Sequence, residues 1–316
     1  MGILVIIKQM LVIAILVMTG YTIFKLKIID EQMSKKISTL VIDVCNPALA
    51  IACIIQDRPV VEHSKILFAG AIGIVIYLVL ISMGVILPII LRITPNERKY
   101  YHMMMVYTNT GFIGIPLARA ILPSEAMIYV IIFNVLFSLF FYTHGTYVLR
   151  SDKEKNNKKD KLTTQNSDTK SSPKINIGII SSIIAILLCW FNIKVPGVIG
   201  DSLIYIANAT TFLSMTVLGA SLAMVSFRDI FKGKMVYAYA FLHLIIIPII
   251  ISVAMQSIGA DKNLTSAFVL MTALPGANMP LMLAGKNGHK TKLLSQMILL
   301  TTVLSLITVP TVMYFV

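Results

Sequence analysis

Long apolar stretches separated by short polar segments make up almost the whole chain. Ten of these stretches contain about 20 residues, enough to cross the hydrocarbon core of a bilayer as a helix. Strands of a membrane barrel would instead alternate apolar and polar residues over about ten positions. The pattern therefore predicts an all-α polytopic membrane protein with spans at about 3–24, 37–56, 66–91, 100–122, 126–149, 176–193, 201–226, 235–257, 263–285 and 292–315.

The fourth and ninth spans are interrupted by helix-breaking residues in the middle of their apolar runs. An interior proline costs a helix about 3 kcal/mol and a glycine about 1 kcal/mol, so neither span is expected to cross as one continuous helix. Unpaired backbone groups at membrane depth are tolerated only inside protein or beside a cavity. The interrupting residues are Gly111, Gly114 and Pro116 in the fourth span, and Pro275, Gly276, Asn278 and Pro280 in the ninth.

The two breaks predict an anion-binding site where the fourth and ninth spans cross. Pro116 and Pro280 each suit the first position of a new helix, because the backbone N–H that proline lacks would be unused there. Each new helix would start near the middle of the membrane with free N–H groups and a partial charge of about +0.5. Two such helix starts that meet inside a membrane favour a bound anion.

A hydrophilic segment divides the chain into two halves of five spans. Residues 151–174 lack aromatic side chains and apolar periodicity, which is typical of a disordered linker. Because five is odd, the second half (175–316) enters the membrane in the opposite direction from the first half (1–150). The broken span is fourth in each half, and Pro116-Leu117 aligns with Pro280-Leu281. The sequence thus predicts two inverted five-helix repeats with broken crossover helices at spans four and nine.

The distribution of positive charge predicts the orientation in the membrane. Hydrophobic residues make up 57% of the chain, the formal net charge is +13, and 21 of the 27 lysines and arginines fall on one set of loops. Basic loops face the cytoplasm, so we expect a plasma-membrane protein with a cytoplasmic central loop and both termini outside. Nucleic-acid binding is not expected, since the basic residues are scattered over five loops. They are Lys25, Lys27, Lys35 and Lys36; Arg92, Arg98 and Lys99; Arg150 and the lysines of 153–174; Arg228, Lys232 and Lys234; and Lys286, Lys290 and Lys292.

Short motifs are spread over nearly the whole chain: Asn46-Pro47 in span two, TNTGFIGIPLA in span four, Asn134 in span five, VLGASLAM in span seven and LPGANMPL in span nine. Together with ten spans around a hydrophilic loop, they resemble the auxin efflux carrier family, which includes plant PIN proteins and bacterial carriers for malate and malonate. The resemblance implies a scaffold of spans one, two, six and seven, with a homodimer through spans two and seven. It also implies that the remaining spans move as an elevator and bind the substrate where spans four and nine cross.

The predicted substrate-binding residues are those of the two breaks together with one polar residue of span five. Asn109 and Asn278 carry amides that can donate to a carboxylate and accept from freed backbone N–H groups, or only stabilise the breaks. Asn134 lies at mid-depth of span five and needs a hydrogen-bond partner, which is either the substrate or a neighbouring helix. The full predicted set is Asn109, Gly111, Gly114, Pro116, Asn134, Gly276, Asn278 and Pro280.

Two charged residues within the spans have competing interpretations. Asp43 is the only acidic residue well inside a span, and an intramembrane carboxylate is costly enough to indicate proton or cation coupling. A carboxylate that packs against a neighbouring helix, or stays hydrated near the interface, is the favoured alternative. Arg119 either attracts an anion from outside or extends to the outer interface, and the latter is favoured.

Few other residues indicate chemistry. Cys45, Cys53 and Cys189 show no metal-ligand spacing. The five histidines never pair at a spacing of three or four residues, and no catalytic or nucleotide-binding motif is present. No metal, cofactor or enzymatic activity is predicted. The sequence favours a secondary transporter of a small organic anion, an auxin-like or malate-like carboxylate; a membrane sensor or channel on the same scaffold, or an intramembrane enzyme, is the alternative.

Overall fold

The computed structural model describes residues 2–57, 62–150, 177–224 and 233–315, and these fold almost entirely as helices. The predicted linker at 151–174 lies outside the described residues. The only β-type pairing among the described residues is one isolated bridge. The helices are α1 (Gly2–Lys25), α2 (Glu31–Gln56), α3 (His63–Ile90), α4 (Pro95–Val106), α5 (Thr110–Ile121), α6 (Ser124–Val148), α7 (Ile177–Trp190), α8 (Gly197–Ala223), α9 (Lys234–Ser257), α10 (Lys262–Ala273), α11 (Asn278–Lys286) and α12 (Lys292–Tyr314).

Six helices in the described part of the chain are long and apolar enough to cross a membrane. These six helices are α2, α3, α6, α8, α9 and α12. Three shorter apolar helices are α5, α7 and the Leu11–Lys25 part of α1. The prediction of an all-helical membrane protein is confirmed at this level. The fourth and ninth predicted spans are each divided, as α4 with α5 and α10 with α11. Pro275 and Gly276 lie in the second division, whereas the first division, at 107–109, precedes Gly111, Gly114 and Pro116, which lie within α5.

The helices can be described as two groups, which also contact each other through α11 on α2 and α7 on α6. In the first group, α8 packs along α1 and α2, and α7 packs on α2. Glycines let α1 and α8 approach closely: a Cβ added at Gly20 would lie 2.6 Å from Thr216 Cα, and one at Gly219 would overlap the Val17 carbonyl oxygen. In the second group, α3 packs on α4 and α6, while α10 packs on α6, α9 and α12.

Four helices contain a turn of wider π-helical hydrogen bonding. The turns are Val41–Cys45 in α2, Thr110–Gly114 in α5, Phe141–Gly145 in α6 and Leu242–Ile246 in α9. Such turns add a residue to the helix and often occur at functional sites. Three of them carry a carboxylate or imidazole side chain, namely Asp43, His144 and His243.

Basic helix ends gather at one end of the bundle. Lys99 Nζ, near the start of α4, lies 3.3 Å from His289 Nδ1, just after α11. Asn287 Nδ2 donates to the Leu149 carbonyl oxygen, just after α6, at 2.5 Å. The ends of helices that are distant in sequence, each carrying the predicted basic residues, therefore lie side by side.

Candidate functional site: the crossing of two helix breaks

The first break is a short extended segment between α4 and α5. The α4 helix ends at Val106, and Tyr107 is already in an extended conformation. Asn109 caps the next helix: its Oδ1 accepts from Phe112 N at 3.3 Å, and its carbonyl oxygen accepts from Gly114 N at 3.0 Å. An asparagine suits this position because its side-chain oxygen satisfies a backbone donor that the first helical turn leaves unused.

The second break is the segment between α10 and α11. The α10 helix ends at Ala273, and α11 begins at Asn278. Within the break, Gly276 N donates to Thr301 Oγ1 on α12 at 3.1 Å. His243 Nε2 on α9 lies 3.2 Å from the Leu274 carbonyl oxygen. Neighbouring helices therefore supply partners for backbone groups that the interrupted helix leaves unpaired.

The two breaks cross and bind each other through their backbones. Thr108 and Gly276 form an antiparallel bridge. Asn109 N donates to the Pro275 carbonyl oxygen at 2.8 Å, and Ala277 N donates to the Tyr107 carbonyl oxygen at 2.9 Å. We call residues 107–110 with residues 274–278 the crossing. The starts of α5 and α11 and the ends of α4 and α10 all meet there.

Two glycines lie where the breaks and their neighbours approach each other closely. A Cβ added at Gly114 would lie 2.6 Å from Leu274 Cδ1 and 2.9 Å from Met271 Sδ. One added at Gly276 would lie 2.9 Å from Met104 Sδ. Gly111 is less constrained, since its nearest neighbour, Leu49 Cδ2, would lie 3.1 Å from an added Cβ. Gly114 and Gly276 thus have a packing reason that is independent of any ligand.

The new helices begin earlier than the prolines predicted. Thr110 rather than Pro116 starts the helical run after the first break, and Asn278 rather than Pro280 starts the second. The cap by Asn109 restores helical hydrogen bonding before the proline is reached. Pro116 follows the π-helical turn and is half-buried, whereas Pro280 is buried in the first turn of α11, where its missing donor costs little.

Asn278 is fully buried at the crossing and only partly hydrogen-bonded. Its Nδ2 contacts Met215 Sδ on α8 at 3.7 Å, which is a weak acceptor. Its Oδ1 has no hydrogen-bond partner among the described residues. A buried amide without good hydrogen-bond partners lowers the free energy of unfolding by about 1–3 kcal/mol. Such unsatisfied groups are few in native proteins and often have a functional explanation.

Asn134 lies beside the first break, with its Oδ1 accepting from Thr110 Oγ1 at 2.9 Å. This contact ties α6 to the first residue of α5. Thr108 Oγ1 on the other side of Asn109 donates to the Met271 carbonyl oxygen at 2.8 Å. Thr108, Thr110 and Thr301 support the crossing, and sequence analysis did not single them out, because buried threonines are common in membrane helices and carry no spacing signal.

Asp43 lies away from the crossing and forms an ion pair. Both carboxylate oxygens accept from Lys286 Nζ, at 2.8 and 2.6 Å. The Asp43 side chain is 41% exposed, and Lys286 is the last residue of α11, where its charge complements the helix dipole. This geometry agrees with a carboxylate that packs against a neighbouring helix.

Arg119 is also outside the crossing, where its Nη2 donates to Gln56 Oε1 at 3.0 Å on the protein surface. The described residues contain no group of three or more histidine, cysteine or acidic side chains placed to hold a metal ion.

Comparison with known proteins identifies the family of the chain. A model of a family described as "Membrane transport protein" matches residues 5–313. An uncharacterized transporter of Methanocaldococcus jannaschii is 26% identical over 308 residues, covering 95% of this chain and 95% of the relative. The chain belongs to the membrane transport protein family, which is the auxin efflux carrier family of transporters.

Proposed function

We propose that this transporter is a secondary carrier that moves a small organic anion, a mono- or dicarboxylate, across the plasma membrane. The observation that carries the proposal is the fully buried Asn278 amide at the start of α11, whose Nδ2 finds only the Met215 sulfur as an acceptor among the described residues. An anionic oxygen would accept from its Nδ2, while the helix starts at the crossing stabilise negative charge.

The expected affinity is modest. Each helix dipole contributes roughly 0.3–1 kcal/mol toward a bound carboxylate, and up to about 2 kcal/mol in buried geometry. A charge-assisted hydrogen bond adds about 1.5–3 kcal/mol before the cost of dehydrating the anion. Two dipoles and one such hydrogen bond sum to at most about 7 kcal/mol, so the dissociation constant should be no tighter than roughly 10 micromolar, as suits a carrier that must release its cargo.

The proposed mechanism is an elevator in a homodimer of ten-span subunits. The first helix group (α1, α2, α7 and α8) would be the scaffold, with the dimer formed through α2 and α8. The helices around the crossing would move as one body across the membrane and carry the anion with them. The packing of α8 on α1 and α2 and of α7 on α2 supports this scaffold, and the gathered basic helix ends support a cytoplasmic orientation for that end of the bundle.

Exchange in proteoliposomes tests the proposed function. Purified protein would be reconstituted with internal carboxylate, and uptake of labelled malate, malonate and indole-3-acetate would be measured. We expect saturable exchange of at least one of them, and Asn278→Ala should weaken its apparent affinity about tenfold. Asn96→Ala is the matched control, because Asn96 is exposed at the start of α4. The proposal is wrong if no carboxylate exchanges, or if Asn278→Ala behaves like the control.

A further inference from the structure

A chain of hydrogen bonds joins three side chains next to the first break. Tyr107 Oη lies 2.9 Å from the Phe140 carbonyl oxygen and 2.9 Å from His144 Nδ1. His144 Nε2 lies 3.1 Å from His102 Nε2. The backbone of Gly84 on α3 hydrogen-bonds to His102, and a Cβ added at Gly84 would lie 3.2 Å from His102 Nδ1, so that nitrogen faces α3.

The number of protons in this chain depends on its charge. Both ends are backbone carbonyl oxygens, at Gly84 and Phe140, which accept and cannot donate. Four hydrogen-bond positions lie between them: one at each end and two between the three side chains. Two neutral imidazoles and one hydroxyl supply three protons. In a neutral chain, two acceptors therefore face each other at one of the four positions. One added proton occupies that position, and every position then contains a hydrogen bond.

Within the described part of the chain, no carboxylate forms an ion pair with either histidine. The ion pairs there join Lys35 with Glu31, Lys65 with Glu62 and Lys286 with Asp43.

The acidic side chains of the helices that form the chain lie elsewhere. No acidic residue occurs in α3; Glu97 bonds Thr94 in the first turn of α4, and Glu125 lies in the first turn of α6, the opposite end from His144.

The other titratable side chains nearby are engaged or uncharged. The Tyr77 ring on α3 stacks on Phe140, and Tyr101 on α4 packs edge-on against Tyr239 of α9. Lys99 on α4 contacts His289, and Tyr142 on α6 donates to the Ile42 carbonyl oxygen. An added proton would thus bring a positive charge that the described residues do not neutralise.

We propose that His102, His144 and Tyr107 form a binding site for one proton, which is transported together with the organic anion. This inference rests on the proposed function and names its coupling ion. The proton adds to the unprotonated ring nitrogen from water and returns to water when the anion is released. His144 is half-buried, near the end of α6 where the basic helix ends gather, so it provides the entry; His102 is 7% exposed.

The site is joined to the crossing through Tyr107. The Tyr107 hydroxyl is a member of the proton chain, and its carbonyl oxygen accepts from Ala277 N at 2.9 Å in the backbone bridge. A positive charge on the chain favours an anion near the starts of α5 and α11. Because coupling between two sites is reciprocal, the bound anion favours the proton by the same factor. A proton and a monocarboxylate would move together without net charge.

Proton uptake can be measured without any transported substrate. Protein with ¹⁵N-labelled histidine would be titrated in detergent between about pH 5 and 8 and followed by NMR, with His102→Gln and His144→Gln used for assignment. We expect the two imidazoles to change together and take up one proton between them, whereas the remaining histidine of each variant should titrate separately. Independent titration in the wild type, uptake of two protons by the pair, or no proton uptake down to about pH 5 would overturn the proposal.

Transport provides the second measurement. Two rates would be measured in proteoliposomes that exchange malate, malonate or indole-3-acetate: accumulation driven by a pH gradient, and exchange at equal pH on both sides. The ratio of the first rate to the second would be compared among variants. We expect this ratio to fall roughly tenfold for His102→Gln, His144→Gln and Tyr107→Phe. His63→Gln is the control, since that histidine is exposed at the start of α3. An unchanged ratio in all three variants would overturn the proposal of a proton site. If the wild type shows no exchange at all, the proposed function is wrong, and the NMR titration alone decides whether the proton site exists.

Discussion

Replacing Asn278 by leucine is expected to stabilise the substrate-free protein. The Asn278 side chain is fully buried, and its unpartnered Oδ1 carries a desolvation cost of about 1–3 kcal/mol. Leucine has a similar volume and no polar atoms, and such a swap costs up to about 1.5 kcal/mol in altered packing. The net change in the free energy of unfolding should be a gain of about 1 kcal/mol.

Asn109 provides a matched control at the other break. Its Oδ1 accepts from Phe112 N and caps α5. Asn109→Leu removes this cap, which should destabilise the protein by about 0.5–2 kcal/mol. The same substitution at two buried asparagines of the crossing is therefore expected to have opposite signs.

Thermal unfolding in detergent with a thiol-reactive dye would measure both effects, because Cys45 and Cys53 are buried in the folded protein. Asn278→Leu should melt above the wild type, and Asn109→Leu below it. A carboxylate at 100 times its dissociation constant stabilises the wild type by about 2.7 kcal/mol, and Asn278→Leu should lose that response. If Asn278→Leu destabilises the protein as much as Asn109→Leu does, the Asn278 amide is already satisfied, and the argument that it is kept for a ligand is refuted.

Three further predictions concern ion pairing, packing and topology. Asp43→Asn should change stability by less than about 1 kcal/mol and preserve the shape of the pH dependence of exchange, because the Asp43–Lys286 pair is 41% and 31% exposed; loss of the response to a proton gradient would contradict this. Gly114→Ala should lower the melting temperature, at a cost of about 1–3 kcal/mol, because its Cβ would lie 2.6 Å from a leucine of the second break. Gly70→Ala, with no atom within 4 Å of an added Cβ, should raise the free energy of unfolding by about 0.5–1 kcal/mol. Equal effects of the two glycine substitutions would refute the packing argument. A Ser167→Cys variant should react with an impermeant thiol reagent only after cells are permeabilised, and labelling of intact cells would reverse the predicted orientation.

Local sequence determined where the helices lie and where two of them stop. The length of each apolar run sets the length of the helix, and a proline or glycine removes a hydrogen bond at a fixed place in the chain. The α10 helix therefore ends at Ala273, directly before Pro275, whereas α4 ends at Val106, ahead of the first glycine of its span, Gly111. The motifs around these breaks also determined the family, and the inverted repeat and membrane orientation stay predictions.

The restart of each helix was harder to predict, because it depends on capping and crowding as well as on proline. Asn109 caps α5 before Pro116 is reached, and the π-helical turn that follows lies where Gly114 packs against Leu274 of the other break. A residue more than 150 positions away thus contributes to the local backbone conformation.

Only the tertiary structure decided which polar side chains meet. Asp43 pairs with Lys286 at a separation of 243 residues, and His102 meets His144 at a separation of 42. Sequence spacing predicts contacts only between residues three or four apart on one helix. Partners on different helices are determined by how those helices pack. Asp43, for which the sequence left ion coupling as the less favoured interpretation, forms an ion pair that is 41% and 31% exposed, while two histidines without any sequence spacing form the chain that reaches the crossing.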